Sequence, residues 1–126
     1  MNLLLDTDAL IYFLRGDKRV RALLLRNDRF YYSYITKKEL LKKPGLATAE
    51  EDAIMRLLIR LRQVPVDEPI ATLAEQMWRH YRHKDLKIPD ALIAATAIAR
   101  KLTLVTFNTK HFRYISDLSL FPIDIL

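Results

Sequence analysis

The chain declares its architecture within its first eight residues. Leu3-Leu4-Leu5 runs without a polar break into Asp6-Thr7-Asp8. An uninterrupted aliphatic run of this kind suits a strand covered on both faces, in the middle of a parallel sheet, whereas a strand with one wet face alternates. From Asp8 through Leu14 the apolar residues shift to helical spacing, with Thr7 or Asp8 as the expected cap. Asp6 is thereby placed at the carboxyl end of a buried strand, where a helix begins. In open α/β sheets that edge is where ligands bind, and little short of function explains an acid there.

The rest of the chain alternates in the same way. Asp17 to Asn27 is an amphipathic helix with Val20, Leu23 and Leu24 on one face. Phe30 to Ile35 is aromatic-rich and reads as a second strand. Thr36 starts a short helix through Glu39, Leu40 and Leu41, stopped before Pro44-Gly45. A longer helix opens at Thr48, with Ile54, Leu57, Leu58 and Leu61 at core spacing. Gln63 to Val66 is a weak strand, placed near an edge because Pro65 cannot donate to a ladder. Ile70 to His83 is helical with Leu73, Met77 and Trp78 inward. Pro89 opens a helix whose body, Ala91 to Ala99, is apolar nearly all round and therefore buried. Leu102 to Thr106 is a third strand, and Ile123 to Leu126 is read as a last one. Strands alternating with helices predict an α/β fold with a mainly parallel sheet.

Composition narrows the chemistry. A chain of 126 residues is read as one domain, 1–126, with a core of its own. The two glycines, Gly16 and Gly45, are isolated, so no glycine-rich phosphate loop exists. There is no cysteine, which excludes disulfides, thiolate nucleophiles and zinc–thiolate sites. No apolar run approaches the roughly 18–20 residues of a membrane helix, and the leucine run ends too early for a signal peptide. A soluble protein of the cytoplasm is expected. With 21 Lys and Arg against 15 Asp and Glu, the net charge is 21 − 15 = +6, which favours a polyanionic partner, nucleic acid first.

Polar residues mark the strand-to-helix corners. Asp6 ends the first strand, Glu39 lies one turn into the helix after the second, Asp90 sits in the first turn of the buried helix, and Asn108 follows the third strand. If right-handed crossovers hold, these corners face one side of the sheet. Three carboxylates and an amide there would form an all-oxygen site for a hard divalent cation, Mg²⁺ or Mn²⁺. Each also has a local explanation. Asp6 and Asp8 can cap the following helix, Glu39 completes a Thr-x-x-Glu capping box with Thr36, and Thr48 with Glu51 repeats that box. Asp90 complements a helix dipole, and Asn108 is a common turn residue.

Motif order decides between these readings. Leu5-Asp6-Thr7-Asp8-Ala9-Leu10-Ile11 and Ser33-Tyr34-Ile35-Thr36-Lys37-Lys38-Glu39-Leu40, followed by Ile88-Pro89-Asp90-Ala91-Leu92-Ile93-Ala94-Ala95-Thr96-Ala97 and Leu104 to Phe112, resemble in order and spacing the four motifs of the PIN domain. Length and order are similar to the small single-domain ribonucleases of the VapC toxin type. The resemblance implies a three-layer α/β/α sandwich and a Mg²⁺- or Mn²⁺-dependent endoribonuclease that leaves 5′-phosphate and 3′-hydroxyl ends. It also implies a small cognate antitoxin as partner and a homodimer. Asp6, Glu39 and Asp90 match the acidic metal-binding positions of the family. Asn108 falls where many members carry a fourth Asp, and Thr106 matches a small hydroxyl residue that supports the cluster. No histidine is required as base, so His80, His83 and His111 are not candidates. Lys37, Lys38, Lys42 and Lys43 around Glu39, Arg79, Arg82, Lys84 and Lys87 before Asp90, and Lys110 and Arg113 after Asn108 suit a phosphodiester chain, or else form solvated helix faces.

Two other readings compete. Asp6-Thr7-Asp8 after a buried strand also resembles the nucleophile loop of haloacid-dehalogenase phosphatases, in which Asp6 would attack phosphate and Asp8 act as general acid. A PIN-like scaffold that binds RNA or a partner without cutting draws support from Asn108, while retention of Asp6, Glu39 and Asp90 speaks against it.

Overall fold

In the computed structural model, which describes residues 1–125, five strands lie side by side and all run parallel. They are β1 (Asn2–Leu5), β2 (Arg29–Ser33), β3 (Arg62–Val64), β4 (Thr103–Val105) and β5 (Leu120–Phe121), in the order β3-β2-β1-β4-β5. The leucine run occupies the centre, and Leu3, Leu4 and Leu5 are each 0% exposed. Successive side chains of a strand point to opposite faces. Leu4 accordingly joins Ile70, Ala94 and Leu104, whereas Leu3 and Leu5 join Leu10, Leu23 and Leu57.

Those two cores are made by two helical layers. Helices α1 (Thr7–Leu14), α2 (Lys18–Leu24), α3 (Tyr34–Leu41) and α4 (Thr48–Leu58) cover one face; α5 (Glu68–Tyr81) and α6 (Ile88–Arg100) cover the other. The result is the three-layer α/β/α sandwich expected from the resemblance. The apolar body of α6 is buried as anticipated, from Ala91 and Ile93 through Ala97. No described helix is long and apolar enough to cross a membrane.

Several local expectations are corrected. Of the caps offered for α1, Thr7 and Asp8 are not used; Asp6 is the cap, its side chain accepting a hydrogen bond from the Thr7 amide. Helix α3 begins at Tyr34, with Ser33 as its cap, so Thr36 lies inside the helix and the Thr36–Glu39 capping box does not exist. Helix α4 has Ala47 at its cap position with no side-chain bond, so Thr48 and Glu51 form no box either. The last strand is Leu120–Phe121, and Ile123–Ile125 is a turn of 3-10 helix. Residue 126, counted in that expected strand, lies outside the described residues. The third strand in chain order lies at an edge as expected, with β2 as its neighbour, but it spans Arg62–Val64 rather than Gln63 to Val66, so Pro65 falls just beyond it.

Candidate active site

With every strand parallel, all carboxyl ends open on one edge. β1 and β4 register Leu5 against Val105, and the Asp6 amide donates to the Val105 carbonyl at 2.9 Å. The residues that leave these two strands, Asp6 and Thr106, therefore emerge side by side. The Thr106 hydroxyl, fully buried, donates to Asp6 Oδ2 at 2.8 Å. Asp6 Oδ1 accepts the Thr7 amide at 2.8 Å.

Asp6 is 7% exposed and sits beside two further carboxylates. Burial, then the charge of Asp8 and to a lesser degree that of Asp90, pushes its carboxyl up from 3.8 to about 8 against the hydrogen bonds from Thr106 and Thr7. A carboxylate so placed holds a proton at neutral pH unless something positive replaces it.

Asp8, in sequence terms a cap or a phosphatase acid, is a full member of the cluster. Its Oδ2 accepts from the Phe107 amide at 3.1 Å and from Asn108 Nδ2 at 2.9 Å, and it lies 3.2 Å from Thr106 Oγ1. Burial raises its pKa as well, opposed first by the hydrogen bond from the Phe107 amide and then by that from Thr106. The signal was present in the sequence, because two acids separated by one residue at a strand-to-helix corner fall within one helical turn. What the sequence did not show is that the loop after β4 would wrap Asp8. Asn108 thus turns its amide toward Asp8. An Asp there would set like charges together, while Asn supplies a hydrogen bond.

Glu39 arrives from α3. Its Oε1 accepts from Thr7 Oγ1 at 2.8 Å, and the Thr7 and Thr36 hydroxyls lie 3.1 Å apart. The buried Thr36 thereby helps hold Glu39 through Thr7 and caps nothing. Asp90 arrives from the first turn of α6, half-buried. Burial raises its pKa and the charge of Glu39 adds to the rise, while His111 and Lys87 pull it down.

Asp6, Asp8, Glu39 and Asp90 thus form one acidic corner, and none of them belongs to an ion pair among the described residues. The paired acids lie elsewhere: Asp17, Asp28, Glu50, Asp67, Glu75 and Asp85. Among the described residues, no three acidic or histidine side chains close on a common point tightly enough to grip an ion as they stand. The corner is open, with Asp6, Asp8 and Glu39 each held by hydrogen bonds from neighbouring residues. Of the basic residues flagged in the sequence, Lys43 is tied to Glu50 and Arg79 to Glu75. An apolar groove of about 450 Å³ runs beside Glu39 between α1, α3 and α4, with Ile11, Leu14, Leu40 and Ile54 in its walls and Arg15 at its rim.

The PIN domain family model matches residues 3–118. Among curated proteins, Ribonuclease VapC10 of Mycobacterium tuberculosis is 38% identical over 115 residues, 87% of this chain and 85% of that protein. Among solved structures, VapBC2 from Rickettsia felis, bound to a DNA fragment from its promoter, superposes with a TM-score of 0.83 at 27% identity over 96% of this chain and 98% of that one. VapBC-1 from nontypeable Haemophilus influenzae gives 0.83 at 26% identity over 98% of this chain and 99% of that one. A sheet order, an acidic corner and a family match that coincide over nearly the whole length leave one conclusion: the chain belongs to the PIN domain family.

Proposed function

We propose that this protein is an endoribonuclease, the toxin of a toxin–antitoxin pair, and that it works with Mg²⁺ or Mn²⁺ held by Asp6, Asp90 and Glu39. The observation that carries the reading is the group of carboxylates at the carboxyl edge, one of them nearly fully buried, none of which forms a salt bridge among the described residues. Such a donor set, all hard oxygen, fits a hard divalent cation and suits softer metals poorly. When bound, the cation supplies Lewis acidity that makes water a nucleophile near neutral pH and offsets charge building on the phosphorus.

The chain's own residues do the rest. Asp6 gives up its proton on loading, and Thr106 keeps that carboxylate aimed through its hydrogen bond. Asp8 orients the same hydroxyl and anchors the loop after β4 through Phe107 and Asn108. Thr7 steers Glu39. Asn108 acts here as a positioning residue through Asp8. Lysines around the corner hold the phosphodiester backbone.

Residues 1–126 act as one domain in the cytoplasm, as a homodimer, with a small antitoxin as partner. The relatives' complexes with VapB-type partners support that partnership. The apolar groove beside Glu39 is the concavity from which such a partner reaches the acidic corner. The phosphatase reading of Asp6 and Asp8 falls with family membership. The test is cleavage of total RNA with mapped ends, in Mn²⁺ and in chelator, by wild type and by Asp6→Asn and Asp90→Asn. Both substitutions should abolish cleavage without unfolding the protein; wild-type rates from either would sink the assignment.

A further inference from the structure

Asp90 also lines a small polar concavity, which Glu39 does not line and which the reaction as described does not use. It has a volume of about 120 Å³ and is lined by Lys84, Lys87, Asp90, Lys110, His111 and Tyr114. We propose that this pocket holds one backbone phosphate of the bound RNA, adjacent to the phosphate that is cleaved; the proposal rests on the reading of the acidic corner as a nuclease site.

Size is the first argument. Sites that enclose a whole small molecule run from roughly 300 to 1,000 Å³. A pocket of about 120 Å³ accommodates one group of a longer ligand and not a nucleotide.

Chemistry is the second argument. Apart from the apolar Leu86 and the carboxylates of Asp85 and Asp90, the lining side chains are donors: three ammonium groups, an imidazole that offers a ring N–H in either charge state, and a phenol. Lys84 and Lys110 belong to no ion pair among the described residues, and Lys87 reaches Asp85 only at 3.8 Å, with side chains 71% and 92% exposed. The ligand must therefore be anionic and rich in acceptors, as a phosphodiester is.

Placement is the third. Lys84 and Lys87 stand on the turn between α5 and α6, whereas Lys110, His111 and Tyr114 follow β4, and the fold brings the two segments together around Asp90. Asp85, between the first two lysines, takes a left-handed φ of 61°, an uncommon conformation for a residue other than glycine, which sharpens the turn that presents both to the pocket. Helix α6 also starts without a side-chain cap, so its first amides add positive potential on the same side. A strand of RNA whose cleaved phosphate lies at the acidic corner carries its next phosphate past Asp90, into this pocket.

The test separates binding from cleavage. RNA affinity of Asp6→Asn is measured against salt, with and without Lys84→Gln and Lys110→Gln together, using a labelled single-stranded RNA. Losing the pocket contact should flatten the slope of log K against log salt by about 0.7 per phosphate contact removed. The control is Lys101→Gln, at the opposite edge of the sheet just before β4, and it should leave the slope unchanged. In the otherwise wild-type enzyme the double variant should raise KM and leave kcat nearly intact. A single uncharged methylphosphonate next to the cut should weaken wild type and leave the double variant indifferent. Equal slopes for the double variant and its parent, an equal loss with Lys101→Gln, or no RNA binding by Asp6→Asn overturns the pocket. If wild type cleaves no RNA but the slope still falls, the nuclease reading fails and the phosphate pocket stands.

Discussion

Replacing Asp6 by Asn should make the metal-free protein more stable, and by an amount that grows with pH. Asp6 titrates near 8 in the folded chain, against an ordinary 3.8 in the unfolded one. For an acid whose folded value is raised, stability is fully present below the unfolded value and is lost as pH rises through the folded one. The window is therefore from about pH 4 to about pH 8. At pH 7.5 the span above 3.8 is nearly four pH units, at about 1.4 kcal/mol each, so the ceiling is about 5 kcal/mol. Asp8 shares the proton and the burial, and water reaches the open corner, so about half of the ceiling, roughly 2–3 kcal/mol, is the expected relief. Asn keeps the geometry: its Oδ1 still accepts the Thr7 amide, and its Nδ2 donates to Thr106 Oγ1, whose own proton turns toward Asp8. For a domain of this size that relief raises the melting midpoint by about 10 °C at pH 7.5. At pH 5 the same arithmetic leaves under about 1 kcal/mol, or roughly 3 °C. The assay is thermal melting by circular dichroism in EDTA at both pH values, repeated in excess Mn²⁺, where the wild type should recover most of the deficit. A gap between mutant and wild type that is independent of pH, or a mutant that melts lower at pH 7.5, would refute the assignment of Asp6 as a strained, buried carboxylate.

Asp90→Asn should melt above wild type in EDTA, since burial, with a smaller contribution from the charge of Glu39, raises its carboxyl, and should gain little from Mn²⁺; wild type at ten times the dissociation constant should gain roughly 1.4 kcal/mol, several degrees, and identical metal shifts for the two proteins would remove Asp90 from the metal site. Thr106→Val keeps the shape but takes away the hydroxyl that donates to the acids and accepts the Asn108 amide at 3.0 Å, so urea unfolding should lose about 2–4 kcal/mol; a loss under about 0.5 kcal/mol would mean the hydroxyl is dispensable. Asn108→Asp exchanges a hydrogen bond to Asp8 for a repelling charge, so it should lower the metal-free melting midpoint and steepen its response to Mn²⁺; an unchanged midpoint in EDTA would show that the contact with Asp8 is not made in solution.

The legible part of this protein was written in local patterns. Three leucines ending on an acid identified the central strand, because only a strand covered on both faces tolerates such a run. The apolar body of α6 and the proline at its start told of a buried helix, and the spacing of Ile54, Leu57 and Leu58 told of an amphipathic one; each depends on residues within a few turns of one another. Asp6, Glu39 and Asp90 were found the same way, as acids at strand-to-helix corners, with motif order supplying the family. Local reasoning failed where a polar side chain could satisfy itself in two ways. Thr36 and Glu39 have the spacing of a capping box, yet Ser33 caps α3, and both residues turn instead to Thr7, far away in sequence. Asp8 has the look of a cap, yet its hydrogen bonds go to Phe107 and Asn108. A short carboxylate or hydroxyl takes whichever donor the fold brings within 3 Å. Sequence by itself therefore determined the central strand, the main helices and where acids meet the sheet edge, while the short last strand at Leu120–Phe121 escaped it. The register of Leu5 on Val105 decided what those acids touch, because only pairing of the two strands sets Asp6, Asp8 and Thr106 within one hydrogen bond of each other, and burial among them lifts the Asp6 carboxyl to about 8.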